Sequence, residues 1–264
     1  MAPAVATQHR PRAHPQPTGR MMRSTDRVRD LGEVFTPPAV VNDMLDLLPA
    51  AMWEPHPSAT FLEPAAGDGN FLVAILGRKL NAVSAARAAG TLPAGSDKAA
   101  VEFHGLEALA SVYGVDISTE NIAGGPDGDG ARDRMLATFA SWFEVEASTR
   151  LTSRSVLMAS ASWIVERNLL VANMLPFEAD GSPSRRSSLP LVEYRWDPAT
   201  RGVEVTKTTL GQAEAEARRA AGEATLFDAL AAPEPVWSGS ARELRCAPIP
   251  APPAAGATRN GRRR

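Results

Sequence analysis

The chain is 264 residues long, 44% hydrophobic and close to neutral, with a formal net charge of -2. One sizeable core fits that length and a second full domain does not, while the single cysteine, Cys246, excludes an intrachain disulfide and a cysteine-based zinc cluster. No apolar run approaches the roughly 18 residues that span a bilayer, and His9, His14, His56 and His104 are scattered, so a cytoplasmic protein without membrane or metal partners is expected.

Residues 1–28 are rich in Ala, Pro, Arg and Gln without apolar periodicity and predict a disordered basic arm. One α/β domain is expected over residues 29–231, followed by a disordered Pro/Ala/Arg-rich tail over residues 232–264. Thr36 is placed to cap a helix with Pro37 at its first position, and Val40, Val41, Met44, Leu45, Leu47 and Leu48 recur as its apolar face. A first strand over Thr60 to Glu63 leads into a turn containing Gly67 and Gly69, then a helix buried through Phe71, Leu72, Ile75 and Leu76.

The stretch from Ala82 to Ala100 reads as a helix extension plus a surface loop, and a second strand ends at Asp116. That acidic strand end lies much farther from Gly69 than the roughly 20 residues of a dinucleotide fold, which argues against a simple NAD site. After a loop from Gly124 to Gly130, helical patterns cover Arg132 to Glu146 and Arg154 to Glu166, and Leu169 to Ala172 reads as a third buried, parallel strand. Leu189 to Trp196 and Val203 to Leu210 flank Asp197-Pro198-Ala199-Thr200-Arg201-Gly202 as a β-hairpin, and Gln212 to Leu230 is a helix candidate.

Three segments carry functional information in a fixed order. They are Gly32-Glu33-Val34-Phe35-Thr36-Pro37-Pro38, then Phe61-Leu62-Glu63-Pro64-Ala65-Ala66-Gly67-Asp68-Gly69-Asn70-Phe71-Leu72, then Tyr113-Gly114-Val115-Asp116-Ile117. The middle segment is a strand, a glycine turn and a helix start, where a ligand meets backbone without Cβ contacts. An Asp at the end of the neighbouring strand offers two acceptor oxygens to vicinal hydroxyls.

Together these segments resemble the S-adenosylmethionine-dependent DNA adenine-N6 methyltransferases, over roughly residues 30 to 120. The resemblance implies a Rossmann-like methyltransferase sheet with flanking helices, here abbreviated, plus the hairpin, and S-adenosylmethionine as cofactor. It implies that Phe35 and Thr36 border the methionine moiety, Glu63 faces its amino end, Gly67 and Gly69 form the turn beneath it, Asp116 accepts the ribose hydroxyls and Ile117 packs on the adenine. The chain departs from the family pattern at Glu63, Ala66 and Asp68, where Asp, Cys and Ser or Thr are usual. Asp68 sets a carboxylate near the cofactor's own unless it points to solvent or caps the next helix.

Amino-methylating members carry a [DNS]-P-P-[YFW] tetrapeptide whose polar groups accept the amine hydrogens while the aromatic ring stacks on the flipped base. This chain lacks it. Asn173-Met174-Leu175-Pro176-Phe177 is the nearest candidate, with one extra residue, so Asn173, Pro176 and Phe177 are the candidate catalytic residues. In the competing reading Asn173 ends the third cofactor-binding strand and lies beside the cofactor's adenine. DNA is the implied partner, and a separate catalytic or target-recognition subunit is the alternative that the missing tetrapeptide raises. A remnant without catalysis and a methyltransferase acting on a protein or small molecule are the other readings. Arg185-Arg186, the hairpin around Trp196 and Arg201, and the basic termini, Arg10 to Arg29 and Arg259 to Arg264, are candidate phosphate contacts.

Overall fold

The computed structural model of the chain describes residues 36–93, 95–126, 128–178, 180–220, 222 and 234–252. The arm over residues 1–28, Phe35, the Arg-rich end beyond residue 252 and the expected continuation of the last helix to Leu230 lie outside the described residues. The described chain is mixed α/β, with a parallel three-stranded sheet and a separate antiparallel three-stranded sheet.

Helix α1 (Pro38–Leu45) leads through a 3-10 turn, Ala50–Trp53, to strand β1 (Phe61–Glu63). Helix α2 (Asn70–Ala89) and helix α3 (Lys98–Ala110) then connect β1 to β2 (Val112–Asp116). A short helix α4 (Thr119–Ala123), α5 (Ala131–Ala147) and α6 (Val156–Asn168) connect β2 to β3 (Leu169–Val171). The parallel order is β1-β2-β3, with Phe61 opposite Val112 and Gly114 opposite Leu169. Each connection is long enough to return the chain to the same end of the sheet, the requirement for parallel pairing.

Helix α3 occupies part of the interval expected to be loop, and every residue from Ala100 to Ala110 is buried. Its polar residues Glu102, His104 and Glu107 are buried with the rest, so the polar positions mark no solvent face and give no amphipathic period to read. Gly105 makes its packing possible, because a Cβ there would stand 2.5 Å from the Trp142 ring of α5. Helix α1 is shorter than expected and its cap is Pro37, without a side-chain bond from Thr36. Only Val41 and Leu45 of its apolar set are buried, while Val40, Met44 and Leu47 face outward.

The hairpin is present as β4 (Pro190–Asp197) and β5 (Gly202–Thr209), and helix α7 (Leu210–Ala220) follows. The expected domain end at residue 231 is corrected here, because β6 (Pro235–Ser240) adds a third antiparallel strand beside β5 and a 3-10 helix, Ala241–Cys246, follows. Leu244 and Ile249 are buried in the common core. Ser160 donates to the Arg242 carbonyl at 2.7 Å, the Arg167 guanidinium donates to the Ile249 carbonyl, and Arg242 pairs with buried Glu102. Alanine and proline content concealed this segment, of whose few large apolar side chains Leu244 and Ile249 are buried while Val236 is exposed.

The two sheets are tied together by buried tyrosines. Tyr113 of β2 donates to the Val192 carbonyl of β4 at 2.5 Å, and Tyr194 donates to Asn168 Oδ1 at 3.0 Å. Burial pushes both phenols well above their ordinary range. Among the described residues no helix is long and apolar enough to cross a membrane, and no group of three His, Cys, Asp or Glu side chains is disposed to hold a metal.

Candidate functional site

The turn after β1 is held in a left-handed backbone. Gly67 has φ +54° and Gly69 has φ +95°, a region that side-chain-bearing residues rarely enter. Gly69 is also the N-cap of α2, and a Cβ on it would meet the Ala131 Cβ of α5 at 3.0 Å. Conformation and close approach therefore both require glycine at that position. Asp68, between them, does not cap α2. Its carboxylate pairs with Arg134 of α5 at 2.8 Å, so neither disposition expected for it, solvent or helix cap, is realised.

Asp116 stands at the end of β2 and binds the turn directly. Gly67 N–H donates to Asp116 Oδ2 at 2.8 Å, while Ser118 N–H and Asn121 Nδ2 donate to Oδ1 at 2.8 and 3.2 Å. A carboxylate has about four lone-pair sites, so in this arrangement roughly one remains for a ligand hydroxyl rather than two. Ser118, not Asp116, caps α4. Ile117 beside it is exposed, a side chain open to a ligand ring or to solvent.

Glu63 ends β1, and its Oε1 accepts from Ala65 N–H at 3.0 Å, bracing the start of the turn. Thr36 reaches the same place from upstream through its carbonyl, which accepts from Asn70 Nδ2 at 3.1 Å. Asn173 follows β3, whose next residue, Ala172, donates its N–H to the Asp116 carbonyl at 2.9 Å. Thus Glu63, the glycine turn, Asp116 and Asn173 all lie at the carboxyl ends of three adjacent parallel strands, where open α/β sheets take ligands.

The candidate catalytic loop closes on itself. Asn173 Oδ1 accepts from Leu175 N–H at 2.9 Å and its Nδ2 donates to Glu178 Oε2 at 3.0 Å, which occupies both ends of the amide. Pro176 accepts from Ser184 N–H at 2.9 Å, Phe177 bridges to Pro183, and the Phe177 ring is 58% exposed. Phe177 is therefore available for stacking, but the group that would hold an amine is engaged within its own loop.

Sequence reasoning missed Arg134, Asn70 and Asn121. Asn70 had a local signal, being the first helical residue after the glycine turn. Arg134 had none, since it reaches the turn from a helix more than sixty residues later.

One cleft touches this centre and another lies away from it. One, of about 400 Å³, runs between α1, α2 and α5 and touches Asn70 and Arg134. The other, of about 450 Å³, lies between β1, β4 and α7, away from the turn, and at its floor Glu107 accepts from His56 at 2.7 Å and from Ser58 N–H at 3.2 Å. Strand-end position and backbone geometry, not cavity size, single out the glycine turn. No family model, curated protein or solved structure matches this chain.

Proposed function

We propose that the chain binds S-adenosylmethionine at the glycine turn, on a Rossmann-like sheet of the DNA adenine-N6 methyltransferase group, and that methyl transfer to adenine requires a partner subunit. One observation carries this reading. Three motif segments far apart in sequence meet at one place, through Asn70 to the Thr36 carbonyl and through Gly67 N–H to Asp116. Thr36, Glu63, Gly67, Gly69, Asp116 and Asn173 would hold the cofactor, with Ile117 open toward its adenine; Phe35 belongs to the same set by motif alone.

The cofactor supplies a sulfonium-bound methyl as its own electrophile, so the protein's contribution is positioning. Gly67 would admit the ligand to the backbone, Gly69 lets the turn pack against Ala131 of α5, and Asp116 offers its remaining lone pair to a ribose hydroxyl. The self-engaged Asn173 amide and the missing tetrapeptide favour a separate source of acceptor-side chemistry. DNA is the acceptor in this reading. Calorimetry with S-adenosylmethionine, together with tritium-methyl transfer to unmethylated DNA, tests it. Binding without transfer by the isolated chain is the expected result, and no heat at millimolar cofactor refutes the cofactor site.

A further inference from the structure

Arg134 is the residue that organises the glycine turn from outside it. Its Nη1 donates to the Asp68 carbonyl at 2.8 Å and pairs with the Asp68 carboxylate at 2.8 Å, while Nη2 donates to Asn70 Oδ1 at 2.8 Å. Asn70 passes the restraint on to the Thr36 carbonyl at 3.1 Å. Both charged side chains are largely withdrawn from water, 17% exposed for Arg134 and 14% for Asp68. The first residue of the same helix, Ala131, presses on Gly69. Asp116 accepts from the turn at Gly67. The turn is thus clamped by a carboxylate on β2 and a guanidinium on α5.

This clamp answers an electrostatic problem posed by the sequence. A turn meant to receive the carboxylate-bearing end of an amino-acid ligand carries a carboxylate of its own at Asp68, and like charges disfavour one another. A planar fork donates to a carbonyl and an amide oxygen while its charge lies against a carboxylate, which a lysine ammonium cannot reproduce. Resting on the cofactor reading above, we propose that Arg134 is a positioning residue that neutralises Asp68 and fixes the turn, and so makes the site tolerant of the ligand's anionic end.

The test compares two ligands on the full chain, S-adenosylmethionine and 5′-methylthioadenosine, which keeps the nucleoside and lacks the amino-acid carboxylate. Arg134→Gln is expected to weaken S-adenosylmethionine by about 10- to 100-fold, the scale of losing hydrogen bonds to a charged group, and 5′-methylthioadenosine by less than about threefold. Adding Asp68→Asn to Arg134→Gln is expected to recover most of the lost affinity, because the carboxylate that Arg134 pairs with is then removed as well. Circular dichroism establishes that each variant is folded. Should Arg134→Gln fail to fold, Arg134→Lys keeps the charge without the fork and is expected to lose less for S-adenosylmethionine than the turn's other contacts would predict, about tenfold or below.

Equal losses for both ligands overturn the proposal and leave a purely structural clamp. No loss, or no recovery in the double variant, overturns it as well. If the unmodified chain binds 5′-methylthioadenosine but not S-adenosylmethionine, the clamp does not do what is proposed. If it binds neither, the cofactor reading itself falls, and the proposal with it.

Discussion

Gly67 N–H donates to Asp116 Oδ2 at 2.8 Å across forty-nine residues of sequence, so the end of one strand sets the turn that follows its neighbour. The same carboxylate is therefore a brace and, in the function proposed above, a ligand group as well. Asp116→Ala is expected to weaken S-adenosylmethionine by about 1–3 kcal/mol and to destabilise the fold by a similar amount, since the Gly67 and Ser118 donors lose their acceptor. Calorimetry and urea denaturation on the same variant separate the two effects. Unchanged stability would mean that the brace is dispensable.

Two glycines in helices predict opposite outcomes for the same substitution. A Cβ on Gly77 of α2 meets nothing within 4 Å, so Gly77→Ala is expected to stabilise by about 0.5–1 kcal/mol through helix propensity. At Gly105 the Trp142 ring lies 2.5 Å from the added Cβ, and overpacking of about 1–3 kcal/mol outweighs the propensity gain. Thermal melts should rise for the first and fall for the second.

Lys79 is buried, donating to Ser58 Oγ at 2.9 Å and to the Ala59 carbonyl at 2.5 Å. Burial pulls its pKa down to about 8 despite the opposing attraction of Glu107. Because the folded value lies below the unfolded one, the fold bears the cost of the charged amine at neutral pH and sheds it as pH rises from about 8 to 10.5, for a gain of roughly 3 kcal/mol at most. The buried phenols of Tyr113 and Tyr194 act oppositely, costing stability above about pH 10. Stability should therefore peak at about pH 10, and Lys79→Met should abolish the rise in urea titrations leading up to it.

Glu102 is nearly buried and its partner is Arg242 on the returning segment. Arg242→Met leaves that carboxylate uncompensated and is expected to cost about 1–3 kcal/mol, discounted from the fully buried case because Arg242 is 55% exposed. Glu102→Gln in the same background should restore part of the loss. A double-mutant cycle by chemical denaturation reads the coupling, and additivity would show that the pair contributes nothing.

Asn173→Ala removes the amide that pins Leu175 and Glu178. Loosened cofactor affinity, read by calorimetry, is the expected first effect, with no methyl transfer to lose in the isolated chain. Robust adenine methylation by the purified protein, abolished by this change with binding intact, would instead establish Asn173 as catalytic.

The parallel sheet was legible because Phe61 to Glu63, Val112 to Asp116 and Leu169 to Val171 are short apolar runs bounded by turns. The hairpin was legible through the Pro and Gly of its connection. Helix α3 was not, since Glu102, His104 and Glu107 are buried along with its apolar residues and mark no solvent face. Nor was β6, whose sequence, Pro235-Val236-Trp237-Ser238-Gly239-Ser240, is too rich in turn formers to announce a strand, and whose pairing is decided by β5 alone. Of the site, the motif residues could be named in advance. Arg134 could not, because it reaches Asp68 from a helix 66 residues later and no local pattern marks that pairing.

The return of residues 235–249 has a consequence for how the protein is made. Glu102 waits 140 positions for Arg242, and Arg167 waits 82 for the Ile249 carbonyl. During vectorial synthesis Glu102 lacks its neutralising contact, and Arg167 its carbonyl acceptor on Ile249, until this stretch has left the ribosome. Such sequence-distant closure slows folding. The nascent chain is thus expected to stay protease-sensitive until nearly all of its described length has emerged, then to lock in a single late step.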